Sequence, residues 1–242
     1  MQCVILAGGR GTRMRPVTDR VPKTLLPVLG VPFAHHQLTW LAAEGVGRVV
    51  YAVGHLGRQV VDFVGDGSRW GIDVTYADEG DTLLGTGGAL RQAVDLGLVR
   101  ERFLVLYGDS YLMAPIGPVW AAGRKSNDPL MTVFQNEGRW DKSNVVFDGG
   151  RVVLYEKGRT DAEAIGMRHI DYGLSVLSVD FIRDEIAAGA VADLAAVFHK
   201  ASREGRLRGI EVTERFHEIG SPTGLDALEE FLLMARDAGD DG

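Results

Sequence analysis

The chain has 242 residues, of which 45% are hydrophobic, and carries a formal net charge of −7 at pH 7. This composition is typical of a globular protein, and the acidic balance argues against a nucleic-acid partner, which would need a broad basic face. A single cysteine, Cys3, excludes an internal disulfide, and no apolar segment approaches the length of a membrane span, so we expect a cytoplasmic protein without a membrane partner.

The first predicted element is a short apolar strand over residues 2–7, and a glycine-rich loop follows it directly. Gly8, Gly9 and Gly11 let the backbone turn tightly and bring its N–H groups against a ligand without obstruction by a Cβ atom. Between residues 8 and 23 a single acid, Asp19, stands against five basic side chains, which are Arg10, Arg13, Arg15, Arg20 and Lys23. Such local positive charge in an acidic chain indicates one anionic ligand, such as a phosphate.

Two better-known glycine loops do not fit this segment. A Walker loop ends in Gly-Lys-Ser/Thr, whereas Gly11 is followed by Thr12 and Arg13. The dinucleotide-binding fingerprint requires a glycine where this chain has Met14, and no acidic residue follows at the expected distance. A solvated surface turn is the structural alternative, and the clustered charge favours a functional loop over it.

Strands and helices alternate through the first half of the chain. The predicted helices cover residues 33–44, 56–64 and 88–96, and the predicted strands cover residues 48–53, 72–76 and 103–107. This repetition indicates a mostly parallel sheet with helices on both faces, in which ligands bind beyond the carboxyl ends of the strands. Asp109 follows the strand at 103–107 and is a candidate ligand for a divalent cation, although a turn aspartate explains it equally well when it is considered alone.

The second half of the chain is less regular. Its predicted strands cover residues 130–134, 144–156 with a hairpin turn at 148–150, 171–178 and 207–212, and its predicted helices cover 180–188, 191–203 and a segment that starts near Pro222. No linker or repeat is recognisable, so we expect one domain over residues 1–236 and a frayed acidic tail over 237–242. The predicted fold class is α/β, with a mixed, mostly parallel central sheet and a small antiparallel insertion.

With these features in place, the chain resembles the sugar-1-phosphate nucleotidyltransferases. LAGGRGTRMRP at residues 6–16 and PKTLLPV at residues 22–28 are close to the N-terminal signature of that family, and LGTGGAL, YGDSYL, YEKG and FHEIGSP match it further along. The motifs LLGTGGALR, LYGDSYL and RWDKSNV are most similar to those of D-glycero-D-manno-heptose-1-phosphate guanylyltransferases.

The resemblance implies a Rossmann-like nucleotidyltransferase fold and a specific reaction. An oxygen of a sugar-1-phosphate attacks the α-phosphorus of a nucleoside triphosphate and expels pyrophosphate, leaving an NDP-sugar. GTP and a heptose-1-phosphate are the implied substrates. UTP, dTTP or CTP with another hexose- or aminosugar-1-phosphate remains open, because a few backbone hydrogen bonds can select a base without leaving a trace in the sequence.

The resemblance also implies which residues form the site. The nucleotide would be bound by Leu6, Gly8, Gly9, Gly11, Thr12, Arg13, Gly85, Thr86 and Gly88. The sugar phosphate would be bound by Lys23, Asn144, Glu156, Lys157, Tyr172 and Gly173. Arg13, Lys23 and Asp109 would act in catalysis, and Mg²⁺ would bind to Asp109 and Glu218, a position where related enzymes commonly carry aspartate.

Other interpretations stay open at some of these positions. Tyr172 also suits a half-buried strand, and the segment 139–143 suits either contact with a polyhydroxylated ring or a loop with one buried tryptophan. A non-catalytic nucleotide-sugar regulator on the same fold is the alternative function. The presence of both Lys23 and Asp109 argues for an enzyme.

Overall fold

A computed structural model describes residues 1–80, 82–136 and 138–240 of the chain. The helices are α1 (Phe33–Ala43), α2 (Gly57–Val64), α3 (Gly85–Asp95), α4 (Ile116–Gly123), α5 (Val179–Glu185), α6 (Leu194–Arg203) and α7 (Pro222–Asp240). The strands are β1 (Gln2–Leu6), β2 (Pro27–Val28), β3 (Val31–Pro32), β4 (Arg48–Val53), β5 (Asp73–Asp78), β6 (Arg102–Tyr107), β7 (Ser110–Tyr111), β8 (Leu130–Gln135), β9 (Val145–Asp148), β10 (Arg151–Tyr155), β11 (His169–Ser178), β12 (Arg208–Val212) and β13 (His217–Glu218). Within these ranges, no helix combines the length and the apolar character needed to cross a membrane.

A nine-stranded sheet lies at the centre, with the strand order β5-β4-β1-β6-β11-β8-β12-β10-β9. The four strands β5, β4, β1 and β6 are parallel neighbours. Strand β11 is antiparallel to both β6 and β8, β12 is parallel to β8, and the antiparallel hairpin β9–β10 forms the far edge. The predicted mixed α/β class is therefore confirmed.

The parallel half of the sheet is buried on both faces because its strands are continuous apolar runs. In β1, Val4 packs into a core shared with α3, α5 and α6. Its neighbours Cys3 and Ile5 pack into a second core shared with α1, α2 and α4. Successive residues of a strand point to opposite faces, so one apolar run contributes to two cores, and helices cover both faces as predicted.

Among the differences from the predicted elements, three concern helices α4, α3 and α7. The pattern does not predict α4 because Gly117 and Pro118 interrupt it, although Pro118 lies in the first turn, where no N–H is needed. Helix α3 begins three residues before the predicted start because the carbonyl of Ala192 accepts hydrogen bonds from N–H groups in its first turn. Helix α7 includes residues 237–240 of the predicted tail, and residues 241 and 242 lie outside the described residues.

Candidate functional site

A cleft of two adjoining cavities opens beyond the carboxyl ends of β1 and β6, where the strand order of the parallel half reverses. The smaller cavity has a volume of about 320 Å³ and the larger about 640 Å³. Arg13, Tyr107 and Asp109 line both cavities and mark the junction between them. A concave site at this point of an open α/β sheet is the usual place for a ligand.

The glycine loop after β1 forms one wall of the smaller cavity. Its predicted nucleotide-binding residues that line this cavity are Leu6, Gly8, Gly9, Gly11, Thr12 and Arg13. A Cβ atom on Gly8 would lie less than 3.0 Å from Oε1 of Glu79, so a larger residue at this position would require the Glu79 carboxylate to move. The other oxygen of Glu79 accepts a hydrogen bond from the N–H of Leu84, and burial raises the pKa of the Glu79 carboxyl. Glu79 lines the cavity although no motif of the sequence indicates it.

The start of α3 forms a second wall of the smaller cavity, lined by Gly85 and Thr86. Gly85 has a φ of +74°, and a Cβ atom there would lie 2.6 Å from the carbonyl oxygen of Ala192. The Thr86 hydroxyl donates to Oδ1 of Asp193 at 2.9 Å. Gly88 lines neither cavity, and its N–H lies 3.2 Å from the Ala192 carbonyl oxygen. The structure thus places Gly88 in helix packing and not at the surface where the nucleotide contact was predicted.

The charged residues predicted to act in catalysis meet at the junction of the two cavities. The Lys23 ammonium forms an ion pair with the Asp109 carboxylate. A Cβ atom on Gly220 would lie 3.0 Å from both Arg13 Nη2 and Lys23 Nζ. The same position lies 3.3 Å from Oε1 of Glu218. Side chains from both ends of the chain therefore converge on one point.

Glu218 reaches the junction through a short antiparallel ladder between β7 and β13. In this ladder Glu218 pairs with Ser110, and the N–H of Ile219 donates to the carbonyl oxygen of Asp109 at 3.0 Å. Burial raises the pKa of Glu218, and the charge of the Asp109 carboxylate raises it further. A cation bound to both carboxylates would relieve this repulsion.

The two carboxylates fit Mg²⁺ in their chemistry, because this ion prefers oxygen ligands and usually takes its remaining ligands from water and substrate phosphates. Among the residues that the structure describes, no group of three or more His, Cys, Asp or Glu side chains is placed to hold a metal ion. Mg²⁺ at Asp109 and Glu218 would therefore need oxygens from a bound phosphate.

Most of the residues predicted to bind the sugar phosphate lie in the larger cavity. Those that line it are Asn144, Lys157, Tyr172 and Gly173, while Lys23 lines the smaller cavity close to the junction. The Tyr172 hydroxyl accepts two backbone hydrogen bonds at 3.0 Å each, and only 1% of the residue is exposed, so it is a wall residue. Glu156 does not line the cavity, and its carboxylate forms an ion pair with Arg159 at 2.8 Å.

Asp171 also lines the larger cavity, and no motif indicates it. Its carboxylate accepts hydrogen bonds from the N–H of Gly173 at 3.0 Å and from the Tyr155 hydroxyl at 3.3 Å. Burial raises the pKa of Asp171, while the nearby Lys157 and these hydrogen bonds oppose the shift. Its own N–H donates to Oδ1 of Asn144 at 3.0 Å. A lone acid within the apolar strand β11 is the sequence signal that could have identified it.

Comparison with known proteins adds three matches to this geometry. Residues 2–142 match a protein-family model described as nucleotidyl transferase. N-acetylmuramate alpha-1-phosphate uridylyltransferase of Neisseria meningitidis serogroup B is 33% identical over 223 residues, covering 91% of this chain and 94% of that protein. D-glycero-alpha-D-manno-heptose 1-phosphate guanylyltransferase of Aneurinibacillus thermoaerophilus is 29% identical over 116 residues, covering 48% of this chain and 49% of that protein.

A solved structure shares the fold over nearly the whole chain. HddC from Yersinia pseudotuberculosis matches with a TM-score of 0.77 at 22% sequence identity, covering 96% of this chain and 99% of that chain. At this level of identity the match establishes the architecture alone.

Proposed function

The chain belongs to the nucleotidyl transferase family, and we propose that it joins GTP to a heptose-1-phosphate, releasing pyrophosphate and an NDP-sugar. The resemblance to sugar-1-phosphate nucleotidyltransferases drawn from the motifs is confirmed. One observation carries the proposal: Arg13, Lys23 and Asp109 meet where two cavities of different lining adjoin. A reaction between two anions needs cationic groups at such a junction.

The proposed reaction requires alignment and charge neutralisation, and it needs no protein nucleophile. The bond that forms joins an oxygen of the sugar phosphate to the α-phosphorus, and the bond that breaks joins the α-phosphorus to the oxygen that leaves with pyrophosphate. Lys23 and Arg13 would hold the phosphate oxygens and offset the repulsion between the two substrates. When bound at Asp109 and Glu218, Mg²⁺ would supply further charge neutralisation.

The lining of the two cavities supports the assignment of the two substrates. The smaller cavity is walled by backbone of the glycine loop and of the start of α3, which can approach a flat base and its phosphates closely. The larger cavity presents an amide, a carboxylate and an ammonium group from Asn144, Asp171 and Lys157. Mixed donors and acceptors of this kind suit the hydroxyl groups of a sugar.

The choice of GTP and a heptose-1-phosphate rests on finer features. The motifs LLGTGGALR, LYGDSYL and RWDKSNV support it, as does the relative named as a heptose 1-phosphate guanylyltransferase. The relative named as a uridylyltransferase matches more of the chain, so UTP with another sugar-1-phosphate is the alternative.

A matrix of substrates tests this proposal. We would incubate the protein with GTP, UTP, dTTP or CTP and with a heptose-, mannose-, glucose- or N-acetylmuramate-1-phosphate, and measure pyrophosphate release. We expect the highest kcat/KM for GTP with the heptose-1-phosphate, and loss of activity in excess chelator that added Mg²⁺ restores.

Three outcomes would contradict parts of the proposal. A higher kcat/KM with another pair of substrates would show that the substrate assignment is wrong and would leave the type of reaction unchanged. Full activity in excess chelator would remove the metal from the mechanism. Nucleotide binding in calorimetry, without pyrophosphate release from any pair, would identify a non-catalytic regulator.

A further inference from the structure

We propose that Trp140 and Arg215 form a wall that binds the end of the sugar remote from its phosphate, and that this wall favours a sugar with a longer exocyclic chain. This inference rests on the proposed function, because it assigns the larger cavity to the sugar phosphate. Both residues line the larger cavity, and neither lines the smaller one.

The two side chains are in direct contact. The Arg215 guanidinium carbon lies 3.7 Å from the centroid of the Trp140 ring, a face-on stacking distance. In the described part of the chain, the next shortest contact of this kind is that of Arg69 over Trp70, at 5.0 Å. The Arg215–Trp140 pair is therefore held much more closely than the other cation–π contacts.

Stacking occupies the flat face of the guanidinium group and leaves its N–H groups available in the plane. Nε of Arg215 is enclosed by the protein, whereas within the described residues neither Nη1 nor Nη2 has a hydrogen-bond partner or an ion pair with a carboxylate. A guanidinium group with unused donors, facing a polar cavity, is suited to bind oxygen atoms of a ligand.

A buried amide holds the loop that carries Trp140. Asn136 is completely buried, and its Oδ1 accepts a hydrogen bond from the N–H of Trp140 at 3.2 Å. Its Nδ2 donates to the carbonyl oxygen of Asp141 at 2.6 Å and to Oγ of Ser143 at 3.2 Å. Trp140 itself is 50% exposed, so the alternative of a loop with a buried tryptophan is wrong.

The segment that carries Arg215 is also anchored by its neighbours. The ring of Phe216 packs edge-on against Tyr172 at 5.9 Å, and His217 stacks on Phe231 of α7 at 4.7 Å. The indole and the guanidinium group are thus presented on two fixed segments that are remote in sequence and meet only in the folded chain.

The position of this wall determines which part of the sugar it would meet. The reacting phosphate would lie at the junction beside Lys23, where Arg13, Tyr107 and Asp109 line both cavities, whereas Trp140 and Arg215 line the larger cavity alone. The indole would pack against the carbon–hydrogen face of the sugar, and Arg215 would donate to its hydroxyl groups. A heptose has one more exocyclic carbon and hydroxyl group than a hexose, so it gains the most from such a wall.

The kinetics of Arg215→Ala test the inference, with Arg69→Ala as the matched control because Arg69 also covers a tryptophan but lines neither cavity. We expect Arg215→Ala to raise KM for the sugar-1-phosphate about tenfold, which corresponds to the loss of one good contact. KM for the nucleotide should stay within about twofold of the wild-type value. The preference for a heptose- over a mannose-1-phosphate should fall in Arg215→Ala and stay unchanged in Arg69→Ala.

A second measurement covers the case in which Arg215→Ala does not fold. Addition of the sugar-1-phosphate should change the tryptophan fluorescence of the wild type, and Trp140→Phe should abolish this change. An equal KM for the sugar in Arg215→Ala and Arg69→Ala, an unchanged sugar preference, or a fluorescence change that persists in Trp140→Phe would overturn the inference. Failure of the wild type to release pyrophosphate with any sugar-1-phosphate would instead overturn the proposed function.

Discussion

The two cavities of the cleft are built in different ways. The smaller cavity uses segments that directly follow the parallel strands β1 and β6, together with the start of α3. The larger cavity combines the 140–144 loop, β11 and the C-terminal segment 215–227. Parallel strands of the sheet bring most of the first set together, whereas most of the second set meets through packing between segments that are distant in sequence. Phosphate binding therefore depends mainly on backbone geometry, and the choice of sugar depends on side chains from distant segments.

The largest effect is expected at the junction of the two cavities, where the charged side chains would act on both substrates. Lys23→Ala and Asp109→Ala should each lower kcat by about 10²- to 10³-fold. The first removes a cation that would offset the charge of the reacting phosphates, and the second removes a carboxylate that would hold Mg²⁺. Pyrophosphate release would measure kcat, and circular dichroism would check folding. Arg48→Ala is the matched control, because Arg48 pairs with Asp73 at 3.2 Å and lines neither cavity. A near-normal kcat in either junction variant would contradict the assignment.

An intermediate effect, confined to the nucleotide cavity, is expected for Gly8→Ala. The new methyl group would displace the Glu79 carboxylate and break its hydrogen bond with the N–H of Leu84. We expect a higher KM for the nucleotide, an unchanged KM for the sugar phosphate and a loss of about 1–2 kcal/mol in the free energy of unfolding. For a chain of this length, that loss lowers the melting temperature by about 2–8 °C.

Gly9→Ala provides the stability control for this variant, because a Cβ atom on Gly9 meets no atom within 4 Å. Its melting temperature should equal that of the wild type. If Gly8→Ala and Gly9→Ala melt at the same temperature, the close approach of Gly8 to Glu79 is not a constraint. If Gly8→Ala changes KM for the sugar phosphate, the two cavities are not separable as described.

The smallest effect is expected from Asp171 in the sugar cavity. Burial raises the pKa of its carboxyl, so the folded chain holds this proton more tightly than the unfolded chain does. The Asp171 carboxyl therefore contributes most to the stability of the folded chain at low pH, where it is protonated. This contribution is lost as the pH rises past the ordinary aspartate pKa of about 3.9 and through the raised pKa. The free energy of unfolding of the wild type, relative to Asp171→Asn, should decrease between pH 4 and pH 8 in denaturant titrations.

Asp62→Asn is the control for this pH series, since Asp62 is an exposed partner of Arg58 at 2.8 Å. Its difference from the wild type should not follow the same trend. A difference between wild type and Asp171→Asn that is independent of pH would show that burial does not govern this carboxyl group.

The parallel half of the fold could be predicted closely because its signals are local. Apolar runs mark β1, β4 and β6, and the predicted ends of β4 coincide with those observed. The two-residue strands β7 and β13 could not be predicted, since each is defined only by pairing with the other. This pairing is nevertheless what brings Glu218 beside Asp109.

The sequence by itself determined the α/β class, the glycine loop and the cationic segment from residue 10 to residue 23, because each depends on residues close together in the chain. Only the tertiary structure decided which side chains line the cavities. It places Gly88 and Glu156 outside the linings, and Asp171, Trp140 and Arg215 inside them. The wall of a cavity is defined by which remote segments pack together, and no local pattern records that contact.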